Sequence, residues 1–184
     1  MEKLIEPWLR AGYEIFSQEG PAGLKVERMA RVVGKSKSSF YHHFADLEIY
    51  TSFLLEYHMK QVDILFEKEK ACQRVVPDLL EILVEHKEDL LFNRQLRVHR
   101  SVPAFQKCFE KTNQLSVESI VEIWAEALGL EHESYLAQMV LVLTMENFYL
   151  QITEETLTYE WLENYMYQLK NMVQAFKKGQ VSLS

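Results

Sequence analysis

Between Lys35 and His43 the chain reads KSKSSFYHH: two lysines, three serines, a tyrosine and two histidines in nine residues, with Phe40 the one apolar member. Nothing here or elsewhere is arranged for bond making. The chain has no GxSxG, no HExxH, no Gly-rich phosphate loop and no dinucleotide fingerprint. His42 and His43 are neighbours, which on a helix points them about 100° apart and unsuits them to share a metal. His86, His99 and His132 are scattered. The expectation is no catalytic set, no metal and no cofactor. Cations, hydroxyls and the free N–H groups of a helix start suit recognition instead: phosphate oxygens, and base edges in a major groove.

Such a segment needs a scaffold that presents it. In Val26 to Val33 the residues Val26, Met29, Ala30 and Val33 fall at helical spacing, with Glu27, Arg28 and Arg31 on the opposite face. Gly34 can take the positive φ that ends that helix, and Ser36 can accept a backbone N–H to start the next. Phe40 and Phe44, four apart, fix the second helix to the core and leave Lys37, Ser38, Ser39, Tyr41 and His42 facing outward. Lys25, Lys35, Ser36 and His43 flank these and complete the DNA-contact set. An αα-hairpin with a solvated polar face fits the same spacing.

The stretch Trp8 to Tyr50 resembles the N-terminal DNA-binding domain of TetR-family transcriptional regulators, in the variety reading GPxxLxxExxAxxxGxSKxSFYxHF. The matching positions are Phe16, Gly20, Pro21, Leu24, Glu27, Ala30, Gly34, Ser36, Lys37, Ser39, Phe40, Tyr41, His43 and Phe44. Lys25 stands where the family usually has a capping Thr or Ser, Lys35 where it has an apolar residue, and Leu47 where a phosphate-binding Lys is common. The resemblance implies an operator-binding homodimer that pairs through its last two helices and senses a small molecule in its body. It covers about the first quarter of the chain.

Composition agrees with one helical protein. At 184 residues and 48% hydrophobic content the chain can fill a sizeable core, and six glycines with four prolines leave little for linkers. Cys72 and Cys108 match neither a metal spacing nor a disulfide framework, so a reducing cytoplasm is expected. The N-terminus MEKLIEPWLR does not read as a signal peptide, and Tyr135 to Ile152, the most apolar stretch, is interrupted by Gln138, Glu146, Asn147 and Gln151, so no membrane span is expected. The net charge is -7, but residues 1 to 45 hold seven Lys or Arg against five Asp or Glu, a net of +2, which leaves -9 for the rest. An acidic body would stay off DNA and turn a mildly basic head toward it.

The fold expected is all-α: a three-helix helix-turn-helix domain over 1–45, then a helical effector-binding and dimerisation domain over 46–184. Pro7 puts the start of the first helix near Glu6, and Asp46 caps a long helix to about Lys70, roughly 37 Å at 1.5 Å per residue. Pro77 and Pro103 open later helices, and Gly129 closes one. The last two, Tyr135 to Ile152 and Tyr159 to Lys178, are too apolar for one subunit to cover easily. They put Leu136, Val140, Leu143, Leu162, Tyr165, Leu169, Met172 and Phe176 at a dimer seam, or else form the monomer's own core. Aromatic, Met and isolated polar side chains in the middle helices (Tyr57, Phe92, Asn93, Arg97, Phe105, Phe109, Trp124, Met145 and Tyr149) are the candidates to line an effector pocket, and are equally good core. The function expected is a sequence-specific regulator, a repressor released from its double-stranded DNA operator by a small hydrophobic effector. The rivals are a helical adaptor or small-molecule-binding protein that has lost DNA binding, and a hydrolase on a helical scaffold.

Overall fold

The structure is a computed structural model that describes residues 2–179. Among the described residues nine α-helices follow one another: α1 Glu2–Glu19, α2 Val26–Val33, α3 Lys37–His43, α4 Leu47–Ala71, α5 Leu80–Glu85, α6 Lys87–Val98, α7 Pro103–Leu128, α8 Ser134–Gln151 and α9 Tyr159–Lys177. A 3-10 turn, Gly20–Gly23, joins α1 to α2, and a π turn, Val75–Leu79, leads into α5. Among the described residues there is no strand.

The punctuation read from sequence largely holds. Gly34 sits at φ +69, where Lys35 N–H bonds back to Ala30 O at 2.9 Å, and Gly129 ends α7 at φ +68. Asp46 accepts the Ile49 N–H at 2.8 Å and so caps α4. One boundary differs. α1 begins at Glu2, a full turn ahead of Pro7, whose missing N–H leaves that turn one hydrogen bond short without breaking the helix.

The chain packs as two compact units, Met1–Ile64 with Glu88–Asn113, and Leu65–Lys87 with Gln114–Ser184. This cut is not the expected 1–45 against 46–184. The reason is that α1 to α3 do not close a core by themselves: Phe16 packs against Phe92 of α6 at 4.3 Å between ring centroids and against Phe105 of α7 at 5.5 Å. One apolar cluster therefore runs from Trp8, Met29, Phe40 and Phe44 through Tyr50 and Leu54 to Leu96. The second unit buries its own set, among them Leu80, Trp124, Leu128, Leu141, Leu162 and Val173.

Candidate nucleic-acid interface

α2 and α3 form a helix-turn-helix. Ser36 caps α3, its Oγ accepting the Ser39 N–H at 3.2 Å, so that hydroxyl is engaged by the helix start. Lys25 is the residue ahead of α2 and makes no side-chain cap, as its departure from the usual Thr or Ser suggests. Phe40 and Phe44 are fully buried and anchor α3 against Trp8 and Tyr50. With that face fixed, Lys35, Lys37, Ser38, Tyr41 and His42 are exposed, Ser39 and His43 half-buried. Tyr41 is 54% exposed, with its ring edge-on to Phe40. All nine expected contact residues thus lie on α3, in the turn before it or at the start of α2. None of them enters the core.

Two ion pairs escaped sequence reasoning. Lys37 Nζ stands 3.0 Å from Glu27 Oε1, and Arg28 bridges from α2 to Glu19 of α1 at 2.5 Å. Backbone and Lys37 hydrogen bonds hold the Glu27 carboxyl below its usual range. Both partners lie nine or ten residues from their cations, outside the three-to-four spacing that periodicity detects.

The seating of α3 depends on how closely α1 approaches α4. Tyr50, buried at the start of α4, donates its hydroxyl to Trp8 O at 2.8 Å. Gly12, one turn further along α1, leaves the room: a Cβ there would fall 1.6 Å from the Tyr50 Oη. Burial pushes the Tyr50 hydroxyl well above the usual tyrosine range.

The candidates in the body separate between the two units. In the first, Phe92, Asn93, Arg97 and Phe105 are buried: Phe92 stacks on Tyr13 and His58, Arg97 donates to Asn113 Oδ1 at 3.1 Å and lies over the Phe109 ring. Tyr57 lines a small cleft of about 230 Å³ with Ile5, Leu9 and Phe53. In the second, Trp124, Met145 and Tyr149 are buried. None of the nine lines the larger cleft of about 430 Å³, which is bounded by Arg74, Val75, Ile123, Glu126, Met166 and Lys170. Seven of the nine are buried, and Tyr57 and Phe109 are half-buried.

The seam candidates also divide. Leu162 and Leu169 are buried within the protomer, so they belong to its own core rather than to a seam. Leu136, Leu143, Met172 and Phe176 are exposed, joined by Met139 and Leu150, while Val140 and Tyr165 are half-buried. Leu143 is 64% exposed, Leu150 76% and Phe176 60%. Tyr165 donates to Asn147 Oδ1 at 3.0 Å, fixing α9 on α8, and stacks on Trp161 of its own helix. α8 therefore buries Leu141, Met145 and Tyr149 on one side and shows an apolar stripe on another.

Two buried polar groups gave no sequence signal. His58 of α4 is fully buried, and burial lowers its pKa to about 4, against the raising influence of Asn93 and Asp89. Glu69, near the end of α4, is 3% exposed and accepts from Ser119 Oγ at 2.5 Å; burial raises its pKa to about 7. A lone polar residue on a long helix looks solvated unless its neighbours in space are known. Among the described residues no three His, Cys, Asp or Glu side chains gather to hold a metal, and no helix is long and apolar enough to cross a membrane.

Residues 9–47 match the family model described as bacterial regulatory proteins, tetR family. No curated protein matches the sequence. Two solved structures share the fold over nearly the whole of both chains. One, described as a TetR-family transcriptional regulator from Rhodococcus sp., is 19% identical, with 95% of this chain and 98% of that one covered and a TM-score of 0.59. The other, a transcriptional regulator from Rhodococcus sp. Rha1, is 17% identical, with 96% and 98% covered and a TM-score of 0.63.

Proposed function

From a chain that carries the DNA-binding domain of the tetR family on the fold of a transcriptional regulator, we propose a homodimeric cytoplasmic repressor released from its operator by a small apolar effector. The observation that carries the reading is α3: a helix whose apolar side is locked by Phe40 and Phe44, with Lys37, Ser38, Tyr41 and His42 exposed on its polar side. The reading gives base-edge contact to Lys37, Ser38, Tyr41 and His42, and phosphate contact to Lys25, Lys35 and the start of α3. It divides the work between a DNA-binding head over 1–45 and a sensing and pairing body over 46–184.

Pairing is supported by the stripe of Leu136, Met139, Leu143 and Leu150 on α8 with Met172 and Phe176 on α9. A run of large apolar side chains on adjacent helices is more than a monomer ordinarily leaves in water. Sensing is supported by the 430 Å³ cleft of the second unit, which is of ligand size and is lined by apolar side chains together with charges of both signs. None of the nine residues first considered lines this cleft, and seven of them are buried, so the effector reading is carried by the cleft instead. Induction needs the effector to prefer a conformation in which the two heads are mis-spaced, for only a difference in affinity between states can move the equilibrium. A helical adaptor that no longer binds DNA is the second reading, and Lys37 paired with Glu27 on a weakly charged head favours it.

The experiment is a selection of genomic fragments on the purified protein followed by footprinting. The repressor reading expects a palindrome whose half-sites lie one helical turn, roughly 34 to 36 Å, or a multiple apart. Recovery of no sequence above background at low salt would leave the adaptor.

A further inference from the structure

Five buried side chains from four helices form one hydrogen-bonded chain. Tyr13 of α1 donates its hydroxyl to Asp89 Oδ1 of α6 at 2.6 Å, and the Tyr13 Oη itself stands 2.6 Å from His58 Nδ1 of α4. His58 Nε2 lies 3.2 Å from the Asn93 amide of α6, which lies 2.9 Å from Thr112 Oγ of α7. Thr112 also donates to Phe109 O at 2.9 Å. The His58 ring is stacked on Phe92, and Phe92 on Tyr13, so the aromatic packing runs alongside the polar chain.

The directions of these bonds are constrained. Because Tyr13 gives its proton to Asp89, its oxygen must accept, so Nδ1 carries a proton. Nε2 then decides the rest. With Asn93 Oδ1 toward the ring, Nε2 must also be protonated, and His58 is an imidazolium answered by Asp89 through Tyr13. With the amide turned by half a revolution, its nitrogen donates to Nε2 and to Thr112 Oγ, and every group is satisfied around a neutral imidazole. Two complete networks thus differ by one proton. The protonated one buries a cation; the neutral one does not.

We propose that Thr112, Asn93, His58, Tyr13 and Asp89 form an acid-released latch that seats α1 on α4, α6 and α7. The groups that face His58 are few. Asp89 on α6 is the charge that favours its protonation, Tyr13 on α1 is the link to it, and α7 contributes the neutral Thr112 by way of Asn93. Glu88 and Tyr57 act on Tyr13. The balance falls to burial, which holds the imidazole at about 4 where an exposed histidine stands near 6.5. A lowered pKa in a base means that the closed latch is fully favoured above pH 6.5 and progressively lost as the pH falls toward 4. Between pH 7.5 and 5.0 the linkage shifts the opening of α1 by about 30-fold, because an opened His58 takes up a proton that the closed one refuses.

The test uses the full chain without DNA, so its failure is separate from any failure of the operator reading. Ring nitrogen NMR of the wild type, with His58 assigned by its loss in His58→Gln or by contacts to Phe92, should show Nδ1–H, and no titration above pH 5. A ring that titrates between 6 and 7, or carries its proton on Nε2 alone, overturns the latch. Hydrogen exchange of the α1 amides, corrected for the intrinsic rate, should lose protection by about 30-fold on going from pH 7.5 to 5.0. In His58→Gln, which removes the titrating ring and leaves an amide able to hydrogen-bond in its place, that pH dependence should collapse. Equal pH dependence in both proteins refutes the proposal.

Discussion

Replacing Gly12 by alanine should do what an alanine in a helix ordinarily does not: destabilise it. On propensity alone the change gains up to about 1 kcal/mol. The added Cβ would lie 1.6 Å from Tyr50 Oη and 2.8 Å from Cζ, and Tyr50 cannot retreat, being fully buried with its ring against Phe40 and Phe44 at 5.3 and 5.0 Å. Either α1 and α4 move apart or the bond to Trp8 O breaks. Overpacking costs roughly 1 to 3 kcal/mol, and the buried Tyr50 hydroxyl left unpaired about 1 to 3 more. After the propensity gain the net loss is roughly 1 to 5 kcal/mol, set against the 5 to 15 kcal/mol that holds a typical protein. Urea unfolding measures it as a lower midpoint at constant m-value. Tyr50→Phe alone removes the hydroxyl and should cost about 1 kcal/mol. Because it also removes the closest clash, the double variant should be less damaged than the sum by at least about 1 kcal/mol. A Gly12→Ala protein as stable as wild type, or strict additivity in the cycle, would refute the close approach of α1 to α4.

Lys37→Ala and Tyr41→Ala should each weaken operator binding without moving the unfolding midpoint, since both side chains are exposed; fluorescence anisotropy on the selected site checks this, and unchanged affinity in both would take α3 out of the interface. Phe176→Glu or Leu150→Glu should turn the dimer into a folded monomer in analytical ultracentrifugation, whereas Leu162→Glu or Leu169→Glu should unfold the protomer, because those side chains are buried within it. The Glu69 carboxyl has a folded pKa of about 7, above its unfolded value of about 4.5. The sign follows: the protonated form is favoured on folding, so its contribution is complete below pH 4.5 and lost as the pH rises through 7. Glu69→Gln should therefore gain up to about 3 kcal/mol over wild type at pH 8 and almost nothing at pH 4.5, read by urea unfolding at the two values. A pH-independent gain would mean that Glu69 is already paired when charged.

What was legible in the sequence was whatever repeats along one helix. Val26, Met29, Ala30 and Val33, with Gly34 and Ser36, were enough to draw α2, the turn and the start of α3. Phe40 and Phe44 gave the orientation of the recognition face. Interactions that close across helices left no trace at three-to-four spacing. The Glu27 to Lys37 pair, the Gly12 to Tyr50 approach and the chain through His58 join residues 10 to 76 positions apart, and each is visible only once the helices are placed. For the same reason Leu162 and Leu169 read like Met172 and Phe176 on one apolar helix, though the first two face the protomer's interior and the others face out. Periodicity reports that a face is apolar and cannot say which of two apolar neighbours covers it.

The Glu27 to Lys37 pair bears on how this head would respond to ionic strength. The usual count takes each phosphate-contacting lysine as bare and credits it with about 0.9 of a displaced counterion. Lys37 already has a carboxylate 3.0 Å away, and Arg28 another at 2.5 Å. If either turns to the backbone of DNA, it abandons an anion that draws salt cations to itself and also faces the phosphates. Part of the entropy released along the duplex is thus taken back at the protein surface. Counting lysines on this surface would overstate the slope of log affinity against log salt, and binding would hold up better in strong electrolyte than its charges imply. Discrimination among sequences would then lean more on Tyr41, His42 and the serines, whose contacts are short-range and carry no such debt.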